Sequence, residues 1–153
     1  RRSVGRWPAA IVVIGDLGKG ALAVLFAGFL GIEGPWIVVP AAAAILGHWY
    51  SVFSGFRGGD GMVTLGGVTI AQFPVFGVIA VIIFLLVSTG GQKMSYSSLA
   101  GVVLGYAVLV TASVAYHVEV GSVVGVGGLT AMVLARASLG HVHRRRAKAG
   151  LRR

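Results

Sequence analysis

At 153 residues the chain has the length of one domain, but 56% of it is hydrophobic and only 11% charged, against roughly 45–50% and 25% in soluble domains. Its apolar residues come in blocks with neither a helical nor a strand period, and so short a chain cannot bury them in its own core, which excludes a soluble domain and leaves lipid as the solvent. The net charge of +9 is bunched at the two ends without interleaved aromatics, so it marks membrane topology rather than nucleic acid; with no cysteine, disulfides, zinc–thiolate sites and thiol nucleophiles are excluded as well.

The chain opens on "RRSVGRWPAA". The apolar run that follows continues for a full span and shows no cleavage site, so Arg1 is read as an internal start. That first block, Ala9 to Gly31, is about 34 Å of helix, enough for a hydrocarbon core of about 30 Å. After the turn "GIEGP" a second block runs from Trp36 to about Phe53, with Trp36 at one interface and Trp49 and Tyr50 at the other, as in an aromatic belt. A glycine-rich loop follows.

Met62 to Thr89 is too long for one straight span. Pro74 lacks an N–H and disfavours helix just before it, which predicts a short helix from Met62 to about Ala71 and a second running to Thr89. Beyond "STGGQKMS" come two more blocks, Ser98 to Tyr116 and Ser122 to Leu139, and then the basic tail 141–153. Glycines at 101, 105, 121 and 125 sit at the four-residue spacing that lets helices approach closely in lipid. The expectation is an all-α polytopic membrane protein, one domain over 1–153 with about six transmembrane helices.

Six helices also satisfy the charges. With Arg1, Arg2 and Arg6 cytoplasmic, Arg57, Lys93 and the tail fall on the same side, and Glu33, His117 and Glu119 on the other, as the positive-inside rule asks. One span over Met62–Thr89 would put Lys93 and the tail outside.

Three polar exceptions interrupt the apolar pattern. In the first helix, "GDLGKG" carries Asp16 and Lys19, ionisable groups that cost about 2.5–3.5 kcal/mol each at a helix centre. At i and i+3 they share a face and can pair, as a packing salt bridge or as a functional pair. The string is no phosphate-binding P-loop, since Val13 stands where a glycine is needed and no Ser or Thr follows. "LGHWYSVFSGFRGGDG" brings His48, Arg57 and Asp60 together among glycines at 55, 58, 59 and 61, whose bare N–H groups suit an anion, although a plain linking turn would use glycines too. The tail, six of its thirteen residues Lys or Arg, suits anionic lipid or a bound phosphate.

In this order and at these spacings, "DLGKG" at 16–20, "GHWYSVFSGFRGGDGMVT" at 47–64, "YSSLA" at 96–100 and "HRRRA" at 143–147 resemble the motifs of the bacterial acyl-phosphate:glycerol-3-phosphate acyltransferases, the PlsY family. The resemblance implies seven helices, one of them upstream of Arg1, with the motifs facing the cytoplasm from a bacterial inner membrane. It implies an acyl group passing from acyl phosphate to the 1-hydroxyl of glycerol 3-phosphate, giving 1-acylglycerol 3-phosphate, in phospholipid synthesis and without metal or other cofactor. It assigns catalytic roles to His143, Ser98 and Arg2. Substrate binding falls to Lys19, His48, Arg57, Gly58, Gly59, Asp60, Gly61, Arg145 and Arg146.

The chain departs from that pattern in three places. The family's first motif lies before residue 1 except for its Arg, matched by Arg2; Asp60 stands where the loop has Lys; Arg145 and Arg146 stand where the last motif has Glu and Asn. A unit charge pair at about 5 Å and an effective dielectric near 20 is worth roughly 3 kcal/mol, so the reversal at Asp60 needs compensation. Arg145 or Arg146 pairing with Asp60 and taking over the anion would supply it. Two other readings stand beside the enzyme: a non-catalytic relative that binds anionic lipid or phosphate metabolites, and a small transporter, which would instead string its ionisable residues across the bilayer.

Overall fold

The computed structural model describes residues 6–50, 59–91 and 96–150, and side chains over 10–50, 59–91 and 96–140. Among the described residues six α-helices follow one another: α1 (Arg6–Phe29), α2 (Val38–Trp49), α3 (Met62–Gln72), α4 (Pro74–Gly90), α5 (Ser97–Tyr116) and α6 (Val120–Gly150). The protein is an all-α membrane fold. Three stretches, Ala10–Phe29, Ser97–Tyr116 and Val120–Gly140, are long and apolar enough to cross a bilayer alone, while Gly34–Trp49, Met62–Gln72 and Pro74–Gly90 are shorter.

Local chemistry sets the boundaries. α1 ends at Phe29 and is capped through Gly31, whose φ of 78° suits glycine; Ile32 N–H donates to Ala27 and Gly31 N–H to Gly28, at 2.9 and 3.0 Å, closing a Schellman cap. Trp36, expected to open the second helix, lies instead in a 3₁₀ turn over Gly34–Ile37 with Pro35 in its first turn, and α2 begins at Val38. α3 ends where Phe73 turns extended and Pro74 becomes the first residue of α4. The last helix runs past Leu139 to Gly150, because the Arg, Lys and Ala of the tail are good helix formers.

Packing is close because glycine repeatedly replaces a side chain. α1 lies along α3, with Gly20 against the Thr64 carbonyl and Gly67 against that of Leu17. A Cβ on Gly101 or Gly105 would lie 3.0 Å from the carbonyl oxygens of Phe84 and Ala80, which joins α5 to α4. Gly121 sits against Pro35 and Gly125 against Val38; both expected glycine pairs are packing surfaces. Ile45, Val68 and Val133 are fully buried where α2, α3 and α6 meet. Ile11, Ile14, Leu25 and Phe26 of α1 are exposed, as on a face turned to lipid.

The ends of the bundle differ in charge. At one, Glu119 lies beside Gly34 and accepts a 2.6 Å hydrogen bond from Ser122. The opposite end gathers Asp16, Lys19, His48 and the Gly59–Gly61 turn.

Candidate functional site

The i, i+3 spacing in α1 brings Lys19 Nζ to 2.6 Å from Asp16 Oδ1. What the spacing did not contain is the third member. His48, from the last turn of α2, places Nδ1 at 3.3 Å from that same oxygen and 3.2 Å from Lys19 Nζ. The side chains of His48 and Asp16 are 11% and 18% exposed and that of Lys19 41%, so the first two are sheltered while Lys19 lies toward the outside.

Nδ1 either accepts from Lys19 or donates to Asp16, according to tautomer. In both cases Nε2 faces the glycine turn, where a Cβ on Gly59 would lie 2.8 Å from it. With Nδ1 accepting, Nε2 carries a proton to donate to an anion; with Nδ1 donating, Nε2 is a base oriented by a carboxylate. The glycine at 59 keeps that nitrogen uncovered.

The turn itself is fixed from α2. Trp49 Nε1 donates to the Asp60 carbonyl at 3.1 Å. Gly61 caps α3 with φ 85°, and a Cβ there would lie 2.7 Å from Trp49 Nε1, so both conformation and space call for glycine. Trp49, expected in an interfacial belt, is buried at 6% exposure, whereas Trp36 and Tyr50 are exposed as such a belt requires. The reason is Arg136 of α6, whose Cζ stands 4.7 Å above the Trp49 ring and 5.7 Å from that of Tyr50.

Of the residues singled out from the sequence, Lys19, His48, Gly59, Asp60 and Gly61 come together. Ser98 is half-buried in the first turn of α5, which packs on α4 and α6. Arg2, Arg57 and Gly58 lie outside the described residues; His143, Arg145 and Arg146 lie in the last turns of α6, outside the described side chains, and with them the expected pairing of Asp60. Sequence reasoning missed Arg136, although an arginine inside the apolar block 122–139 was the signal for it. Thr64, just after the turn, is fully buried, and its hydroxyl has no partner among the described residues. Behind the turn a partly open cleft, lined mostly by apolar side chains, lies among α3, α4, α5 and α6, its wall running from Met62 past Phe84 and Tyr106 to Thr130.

Residues 1–148 match the glycerol-3-phosphate acyltransferase family. The chain belongs to that family. It is 42% identical over 101 residues to the glycerol-3-phosphate acyltransferase of Thioalkalivibrio sulfidiphilus, covering 65% of this chain and 50% of the relative. It is 39% identical over 90 residues to that of Geobacter sulfurreducens, covering 58% and 46%. The chain thus spans about half the length of the curated relatives it matches. The crystal structure of PlsY, an integral membrane glycerol 3-phosphate acyltransferase, in its glycerol 3-phosphate form superposes with a TM-score of 0.71 at 24% identity, over 98% of this chain and 70% of PlsY. The lysophosphatidic acid form gives 0.71 at 23% identity, over 95% and 74%. Those two likenesses establish the fold, and the family assignment rests on the sequence match.

Proposed function

We propose that this protein transfers an acyl group from acyl phosphate to glycerol 3-phosphate in a bacterial inner membrane, with the Lys19–His48–glycine-turn end facing the cytoplasm. The observation that carries the reading is the convergence of Lys19, Asp16 and His48 from two helices onto the bare turn Gly59–Gly61, in a chain of this family. Cations and uncovered N–H groups hold phosphates; the mostly apolar cleft beginning at Met62 offers an acyl chain a dry surface to lie against.

The acceptor's 1-hydroxyl attacks the acyl carbonyl, the new ester C–O bond forms, the acyl–phosphate bond breaks, and the hydroxyl proton leaves with phosphate or through a histidine. Catalysis of this kind is positioning and charge stabilisation. Lys19 and the turn bind phosphate, His48 donates to it or orients the acceptor, and Arg2, Ser98 and His143 complete the set by resemblance. The positive charge distribution supports the cytoplasmic orientation.

A second reading has an observation of its own: Asp60 puts negative charge in the turn. In that reading the chain is a non-catalytic relative that binds phosphate or anionic lipid. The deciding experiment is acyl transfer by the purified protein in lipid, with acyl phosphate and labelled glycerol 3-phosphate, beside Asp60→Lys and Arg2→Ala. Turnover by the unmodified protein and its loss in Arg2→Ala is the expected result. Silence from the unmodified protein, with turnover gained only in Asp60→Lys, would overturn it in favour of the second reading.

A further inference from the structure

Arg136 sits in the apolar part of α6 and makes no ion pair among the described residues. A guanidinium in that setting needs something in place of a carboxylate, and two aromatic faces supply it, both within the roughly 6 Å reach of a cation–π contact. Trp49 is therefore held on two sides, its face by Arg136 and its edge by the Asp60 carbonyl at 3.1 Å. Gly61, the residue that turns the chain into α3, packs under the same indole nitrogen. A continuous path runs from α6 through α2 to the turn, and no part of it belongs to the Lys19–Asp16–His48 group.

We propose that Arg136 is a positioning residue: through Trp49 it fixes the Gly59–Gly61 turn in the conformation that presents its N–H groups to a phosphate-bearing acceptor. The proposal rests on the reading of that turn as a phosphate site. Planarity matters, because a guanidinium can lie flat on an indole where a lysine ammonium, a hydrated point charge, cannot. The path also ties the turn to the basic end of α6, where His143 follows Arg136 by about two helical turns.

The test measures KM for glycerol 3-phosphate and for acyl phosphate separately in lipid, for Arg136→Gln, Trp49→Phe and the double variant. Trp49→Phe keeps a ring for Arg136 but removes the donor to Asp60. Each single variant is expected to raise the acceptor KM about tenfold, the factor set by one cation–π contact in Arg136→Gln and by one hydrogen bond in Trp49→Phe, with kcat and the donor KM within about threefold. The double variant is expected to be no worse than the poorer single, because both break one path. Arg136→Lys, which keeps the charge, should reproduce the rise and guards against a failed fold. An unchanged acceptor KM in Arg136→Gln and Arg136→Lys, or effects that multiply in the double variant, would overturn the proposal.

A readout independent of turnover uses Trp49 as the sole tryptophan, in a Trp7→Phe, Trp36→Phe background, with inorganic phosphate as the probe. Its emission is expected to change on phosphate addition, with the midpoint shifted about tenfold upward by Arg136→Gln. If the protein turns over nothing, the acyltransferase reading fails, and this titration alone decides the role of Arg136. Coincident curves, or no response to phosphate before mutation, would overturn it.

Discussion

The α1–α3 crossing leaves no side chain free to yield, and Gly67→Ala tests it. The new carbon would lie 2.8 Å from the Leu17 carbonyl carbon, closer still to its oxygen, and 3.0 Å from the Ala21 amide nitrogen. All three are backbone, so α1 must retreat as a body. Gly66→Ala, one position earlier on the same helix, meets Val81 Cγ2 at 3.1 Å, a side chain that can turn aside. Each change brings the same gain in helix preference, about 0.5–1 kcal/mol, which cancels when the two are compared. What is left is the clash, about 1–3 kcal/mol as for overpacked cores. The assay is unfolding in detergent micelles followed by circular dichroism, with Gly67→Ala expected to be the less stable of the two by that amount. Because Leu17 neighbours Asp16, the retreat also draws Asp16 and Lys19 away from His48, and phosphate affinity should fall in Gly67→Ala alone. Equal midpoints for the two variants would refute the reasoning.

Lys19→Met should raise the acceptor KM by about tenfold or more, the loss of one charge-assisted contact to phosphate. Adding Asp16→Asn should recover the unfolding midpoint without recovering KM; recovery of both in steady-state kinetics would make the pair a packing device only. Gly61→Ala combines a left-handed conformation, strained by about 1–2 kcal/mol for alanine, with contact at 2.7 Å to Trp49 Nε1. It is expected to break the bond to Asp60, seen as a shift in tryptophan emission and a weaker response to phosphate. Tyr106→Phe removes the 3.2 Å hydrogen bond to the Val123 carbonyl and should cost about 1 kcal/mol in an unfolding titration. The cleft keeps its shape, so relative kcat/KM across acyl phosphates of different length should hold, whereas Tyr106→Ala should shift it toward longer donors.

The helices were legible because their signals are local: apolar length, the Pro74 break, and glycines at close spacing. The end of α6 was not legible for the same reason, since the charge of the tail interrupts the apolar signal although its residues are good helix formers. Asp16 and Lys19 could be paired from spacing alone, but His48 reaches the pair from 29 residues beyond Lys19, and nothing in a string of residues encodes that approach. Trp49 looked like one more belt aromatic. Its real partner, Arg136, was hidden inside a block read by its average hydropathy, where one cation among many valines, alanines and glycines barely registers.

The short link between Asp16 and Lys19 bears on how the chain enters its membrane. Both charges travel on α1, already 2.6 Å apart, so that helix brings its own counterion into lipid and needs no later segment to neutralise it. His48 arrives with the next helix and finds a dipole rather than a bare charge. Had the two partners been divided between α1 and α3, α1 would wait in the bilayer with an unpaired ion until α3 was made. The order of synthesis and the order of neutralisation here run the same way.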